Sequence, residues 1–451
     1  MTISPKFKPN FLQWPVDRVD QTWRAYIVEP KEYEPSIHGE IFSAALNYLT
    51  VPAYEQIEPT FSISSGDKSM ERNARGNETT VGAPKHFDLI TFPEAFLPKE
   101  DLLSTLKMIS MLNEIGCVHV GLRPSKSPDR HLFRANELCD IVKEIVETVP
   151  DIVIEDFTQF CNWLKLQNNE DNFNVACLFT LDSAQKVRVC LHPKLVCSKF
   201  EVHPEYDRNM KEADLLTLVE LIPQDKSLLS VTIQPLICAD VLFIAAARPY
   251  NNPLCAANYN ADCFDSPPDH IDIVSVVTRT PQVPISSADG VRRQWQQEFR
   301  TSFSRAAKEL VRHYTSIFIL SNFRNFSRSV TGGLSGVFLP IQVCPETYKS
   351  YIQFTAFGRK NRSKNKDNVW LFPTKDISKY DKNISSLGYI ASLDPDNESR
   401  SIAYLFGFTI PRLPRHFTRW PATQKLRPTK IELKPAILND LGAVTFINED
   451  V

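Results

Sequence analysis

The chain has 451 residues, 43% of them hydrophobic and 23% charged, with a formal net charge of −2. That length allows a large core in one or two domains. The balance excludes a disordered chain and a global electrostatic pull toward nucleic acid or an anionic membrane.

The longest apolar runs fall far short of a membrane span. Ten cysteines occur without a Cys-x-x-Cys pair, behind an N-terminus that lacks a signal-peptide pattern. Together these predict free thiols and a cytoplasmic location. Only 14 glycines are present, and no G-x-G-x-x-G or Walker-type loop, so a nucleotide-binding reading lacks its phosphate cradle.

Taken in chain order, residues 1–58 are Pro-rich and mixed and predict one helix near Ile37–Tyr48. Ser62–Lys85 is polar and glycine-containing and predicts a long loop. Strand and helix signals then alternate. Phe87–Phe92 predicts a strand. Pro98–Ile115 predicts a helix, with Leu102, Leu103, Leu106, Ile109 and Leu112 at helical spacing. Cys117–Leu122 predicts a strand and Asn136–Val149 a helix. Phe173–Thr180 and Lys186–Leu191 predict paired strands about a turn at Asp182-Ser183. Ala213–Leu221 fits a short helix or a strand. Ser230–Cys238 and Ile271–Val277 predict buried strands, Arg292–His313 a long helix, and Ser316–Ser321 and Gly332–Leu339 further strands. This alternation predicts α/β layering, with helices covering sheet faces. Beyond about residue 345 the character changes. Lys360–Asp367 predicts a charged loop, and residues 400–431 carry seven Lys/Arg and no Asp/Glu, with Phe417 and Trp420 between them.

Three apolar runs end in groups that can do chemistry. Asp88–Glu94 ends in a carboxylate, Val187–Lys194 in an ammonium, and Pro235–Phe243 holds Cys238 at a strand-to-turn elbow. A deprotonated thiol is a strong nucleophile, a carboxylate can take its proton, and an ammonium lowers its pKa. Lys199 is an alternative to Lys194.

These runs carry a resemblance. FDLITFPEAFLP, VRVCLHPKLVCSKFE, VTIQPLICAD, IDIVSVVTRTP and SIFILSNFRN…GGLSGVFLP resemble, in order, five motifs of the carbon–nitrogen hydrolase (nitrilase) superfamily. The resemblance implies a four-layer αββα sandwich. It divides the chain into an N-terminal extension (1–58), a nitrilase-like hydrolase domain (59–345) and a C-terminal extension (346–451). It implies Glu94 as general base, Lys194 and the backbone N–H of Ala239 as oxyanion donors, and Cys238 as nucleophile. Glu201 stands in the place of the family's second glutamate. Asp240, the usual acidic neighbour, reads as an acceptor for backbone N–H groups at the elbow. The implied reaction is thiol-dependent hydrolysis of a non-peptide carbon–nitrogen bond in a small amide or nitrile, through a thioester. That chemistry needs no metal or organic cofactor, and the family implies a homodimer.

A second reading is a nitrilase-fold protein with lost or repurposed catalysis, acting as a binding or scaffold subunit, for instance in a bacterial defence complex. Its supporting features are Ala239 in place of an aromatic residue, Leu242 in place of an arginine, and the basic 400–431 stretch. That stretch reads most simply as a solvated face; a protein or nucleic-acid partner there is the minority reading. Cys255, Cys263 and His270 match no standard zinc spacing.

Overall fold

A computed structural model describes residues 8–17, 22–30, 35–50, 88–112, 115–127, 130–197, 209–240, 271–279, 281–282, 317–323, 325–327, 330–332, 335–338, 389–390, 401–409, 429–433 and 448–449. It is a mixed α/β structure built on two large sheets. The first runs in the order Lys8–Val16, Leu215–Pro223, Val231–Ile237, Ile273–Val277, Ile317–Ser321, Gly336–Phe338, Tyr389–Ile390. The second runs Asn448–Glu449, Thr429–Leu433, Ser401–Thr409, Thr22–Glu29, Leu89–Thr91, Cys117–Arg123, Val175–Leu181, Val187–Pro193.

The sheets pack face to face. Leu12, Trp14, Val219, Ile233, Ile273 and Ile319 of the first form one buried cluster with Trp23, Ala25, Ile27, Leu89, Cys117, Leu178 and Cys190 of the second. Period-two alternation sends the other side chains of the second sheet outward. Val118, Val120, Cys177 and Phe179 join a separate core with the helices Pro35–Thr50, Lys99–Ile109 and Ala135–Thr148. Phe42 of the first helix lies 4.5 Å, centroid to centroid, from Phe92 and 6.5 Å from Phe179. Covered on both faces, Val175–Leu181 is buried at every position.

Most predicted elements of the middle of the chain appear, with shifted ends. The helix expected over Pro98–Ile115 stops at Ile109, where the Ser110 N–H closes on the Leu106 carbonyl. Ala213–Leu221, open between helix and strand, is a strand over Leu215–Pro223, parallel to Lys8–Val16 and antiparallel to Val231–Ile237. Gly332–Leu339 is not one strand: Val330–Gly332 and Gly336–Phe338 pair in different sheets. Ser62–Lys85 and Arg292–His313 lie outside the described residues.

The first 58 residues hold two strands that sequence reading missed. Lys8–Val16 forms an edge of the first sheet and buries Asn10, Leu12, Trp14 and Val16 in strict alternation. Its prolines, Pro9 and Pro15, disguise it as irregular chain, yet an edge strand tolerates a missing N–H. Thr22–Glu29 is internal to the second sheet, between Leu89–Thr91 and Ser401–Thr409. Part of the basic 400–431 stretch is thus a strand paired on both sides, to Thr22–Glu29 and Thr429–Leu433.

Candidate active site

In the first sheet Val231–Ile237, Ile273–Val277 and Ile317–Ser321 are parallel, so their carboxyl ends reach one edge together. In the second sheet Leu89–Thr91 is parallel to Cys117–Arg123, and Val187–Pro193 returns to the same direction after two antiparallel pairings. Carboxyl ends of parallel strands are where α/β sheets present their chemistry. Cys238 follows the first group; Glu94 and Lys194 follow strands of the second.

Glu94 sits in a turn built around a close backbone approach. The Ala95 backbone has φ 51°, the left-handed region that non-glycine residues seldom occupy. The Gly121 N–H donates to the Pro93 carbonyl, and the Phe96 N–H donates to the Gly121 carbonyl. A Cβ at Gly121 would lie 2.4 Å from both the Ala95 nitrogen and the Glu94 Cα. Only glycine lets the turn settle onto the Cys117–Arg123 strand.

The Glu94 carboxylate is buried and engaged at both oxygens. Its Oε1 accepts from Lys194 Nζ at 2.7 Å and from Asn174 Nδ2 at 2.6 Å; its Oε2 accepts from the Arg279 N–H at 2.9 Å. The Lys194 side chain is 1% exposed and that of Glu94 5%. The lysine backbone is fixed as well: its N–H donates to the Asn174 carbonyl at 2.8 Å, and its carbonyl accepts from the Ala213 N–H at 3.3 Å.

Cys238 is buried, at φ 40°, immediately after the Val231–Ile237 strand. A left-handed non-glycine residue at an elbow costs about 1–3 kcal/mol and marks functional sites often enough to be informative. Its side chain clusters with Ala176, Ile237 and Val277. Three consecutive residues join this elbow to the Glu94 turn. The Val277 carbonyl accepts the Cys238 N–H at 2.9 Å, the Thr278 carbonyl accepts the Glu94 N–H at 3.2 Å, and Arg279 holds Glu94 Oε2. Thr278 is braced in turn by the Ser321 carbonyl, and Asn322 by Ser335 Oγ.

Asp240 ties the elbow to the lysine. Its Oδ2 accepts from the Ile237 N–H at 2.9 Å, and its Oδ1 accepts from the N–H groups of Leu195 at 2.8 Å and Val196 at 2.9 Å. Burial pushes its carboxyl up to about 7, against the opposing pull of these N–H groups and the Lys194 charge. Asp240 thus accepts from three backbone N–H groups, one of the elbow and two of the segment after Lys194. Ala239 is buried in the turn beside it. Glu201 and Lys199 lie outside the described residues, as do Cys255, Cys263 and His270. Among the described residues no cluster of three or more metal-ligating side chains occurs, and no helix is long and apolar enough to cross a membrane.

Sequence reading missed Asn174, Arg279 and Gly121. Arg279 acts through its backbone, which leaves no side-chain signal. Gly121 did leave one: a glycine inside an apolar strand marks close backbone approach. It also missed His119 and His192, whose Nε2 atoms lie 3.0 Å apart between the sheets, with His119 Nδ1 2.8 Å from Ser275 Oγ.

No protein-family model matches the chain, and no curated protein matches it. Solved structures similar to it include a carbon-nitrogen hydrolase from Helicobacter pylori G27, at 8% identity over 71% of this chain and 82% of that one, with a TM-score of 0.37. Another is a mutant of the amidase from Nesterenkonia sp. AN1, at 12% identity over 70% and 82%, with a TM-score of 0.33. A third is an N-terminal amidase, at 8% identity over 70% and 90%, also with a TM-score of 0.33.

Proposed function

We propose that this protein hydrolyses a non-peptide carbon–nitrogen bond of a small amide or nitrile, with Cys238 as nucleophile, Glu94 as proton carrier and Lys194 as oxyanion donor. The observation that carries the reading is the buried Lys194–Glu94 pair at 2.7 Å, joined through Val277–Arg279 to the strained Cys238 elbow. A structural ion pair alone gives no reason to hold a thiol in a left-handed turn on the segment that also holds Glu94.

For an amide, Glu94 takes the Cys238 Sγ proton as sulfur attacks the carbonyl carbon. The tetrahedral oxyanion is met by Lys194 Nζ and the Ala239 N–H. The carbon–nitrogen bond breaks, and Glu94 gives its proton to the leaving amine. Water then attacks the thioester, Glu94 takes the water proton, and the carbon–sulfur bond breaks to release the acid and restore the thiol. Lys194 has three ammonium hydrogens, so it can hold Glu94 with one and meet the oxyanion with another. The four-layer sandwich and the homodimer belong to the same proposal.

The test is ammonia release from a panel of small primary amides and nitriles by the full chain and by Cys238→Ala. The reading expects turnover by the full chain that Cys238→Ala lacks. Equal turnover by both overturns it.

A further inference from the structure

Asn174 lies just before the Val175–Leu181 strand, at a position with no motif to mark it, and it is fully buried. Its two ends do different jobs. The side-chain Nδ2 donates to Glu94 Oε1 at 2.6 Å, while the backbone carbonyl accepts the Lys194 N–H at 2.8 Å. The Val175–Pro193 register sets it directly opposite the lysine. One residue therefore spans the base and the ammonium.

The distribution of donors on Glu94 is uneven. A carboxylate offers about two acceptor sites per oxygen. Among the described residues, Oε1 is met by two donors, Lys194 and Asn174, whereas Oε2 is met by one, the Arg279 N–H. Oε2 also lies on the Val277–Arg279 side, the segment that holds the Cys238 N–H.

Resting on the proposed thiol hydrolase reading, we infer that Asn174 is a positioning residue: it saturates Glu94 Oε1, so that the proton from Cys238 goes to Oε2. Without the Asn174 amide, Oε1 keeps only Lys194, and the carboxylate is free to pivot about its Arg279 bond and draw the ammonium with it. Base and oxyanion donor are then misplaced together. Serine is too short to span this gap. Aspartate fits but sets an acceptor against an acceptor until it is protonated.

The experiment follows acylation of the full chain by p-nitrophenyl acetate. Cys238 Sγ takes the acetyl group, the carbon–oxygen bond breaks, p-nitrophenolate leaves, and the thiol proton passes to Glu94. Asn174→Leu lowers the saturating acylation rate about 100-fold and leaves the half-saturation concentration unchanged. In a Glu94→Gln background the same change costs nothing further, because the two residues act as a unit. Asn174→Asp, which keeps the size of the side chain, is also slow, but its rate relative to the parent climbs as pH is lowered, since the introduced carboxyl, once protonated, donates as the amide did. An unchanged rate in Asn174→Leu, an equal loss in both backgrounds, or a pH-independent ratio for Asn174→Asp overturns the inference. Acylation that persists in Cys238→Ala is a different result: it overturns the hydrolase reading itself.

Discussion

Lys194 Nζ lies 2.7 Å from Glu94 Oε1, with both side chains almost wholly removed from water. Removing one member of such a pair leaves a buried charge without its counter-ion, which typically costs about 3–5 kcal/mol. Glu94 would retain Asn174 and the Arg279 N–H, so Lys194→Met falls at the lower end of that range. Glu94→Leu removes the carboxylate 2.7 Å from the buried ammonium and falls at the upper end. The double variant recovers part of the loss, because the buried ammonium and carboxylate leave together. Urea unfolding of the three variants checks this; a double variant as unstable as the sum of the singles contradicts it.

Gly121 carries the Glu94 turn on its bare Cα. Gly121→Ala forces a Cβ to within 2.4 Å of backbone atoms that have no side chain to swing aside. The expected outcome is a loss of about 1–3 kcal/mol in stability together with about a 100-fold loss of acylation rate. The hydrogen bonds of Gly121 run to Pro93 and Phe96, on either side of Glu94. A rate unchanged from the parent would separate the turn from the chemistry.

The Cys238 backbone, at φ 40°, favours glycine. At an ordinary buried position glycine is about 1 kcal/mol worse than alanine. Here relief of strain, about 1–2 kcal/mol, offsets that cost and the lost Cβ contacts with Ala176, Ile237 and Val277. Cys238→Gly is therefore at least as stable as Cys238→Ala, and both lack acylation. Thermal unfolding of the two, compared side by side, gives the answer; a clearly less stable glycine variant contradicts the strain.

Acid stability carries two opposing signatures. Burial lowers His192 to about 3, and burial followed by the His192 charge lowers His119 well below its ordinary range. Between about pH 3 and 6.5 the unfolded chain binds protons that these folded histidines refuse, so stability falls as pH falls. Asp240, raised to about 7, acts the other way: from about pH 3.8 to 7 the folded state binds the extra proton, and stability falls as pH rises. Two histidines outweigh one aspartate, so acidification from pH 6.5 to 4.5 destabilises the fold. Each histidine contributes up to about a tenfold change in the folding equilibrium per pH unit. Replacing both, as in His119→Phe with His192→Leu, removes their share, so the variant loses less stability than the parent on acidification. Urea midpoints across that range test the change of slope; an unchanged slope contradicts it.

The residues legible in the sequence were those whose side chains end apolar runs: Glu94, Lys194, Cys238 and Asp240. Each run is a strand buried on both faces, which reads as a short continuous apolar segment. What stayed hidden acts through the backbone or through pairing between distant segments. Arg279 and Thr278 contribute main-chain groups. The Lys8–Val16 strand was masked by its prolines, and Ser401–Thr409 by the basic, Pro-broken text that follows it. Its pairing with Thr22–Glu29 joins segments separated by most of the chain, and no local pattern records that partner.

The most direct measurement is the intact mass and peptide map of the full chain quenched during reaction with p-nitrophenyl acetate. Buried Cys117, raised to about 12, and Cys177 and Cys190, also raised by burial, are poor nucleophiles, and Cys139 is exposed but likewise raised. The expected result is a single acetyl group, on Cys238, whose formation slows sharply in Glu94→Gln and Lys194→Met. Acetylation spread over the exposed thiols with Cys238 unmodified, or an adduct on Cys238 that forms equally fast without Glu94 and Lys194, would contradict it.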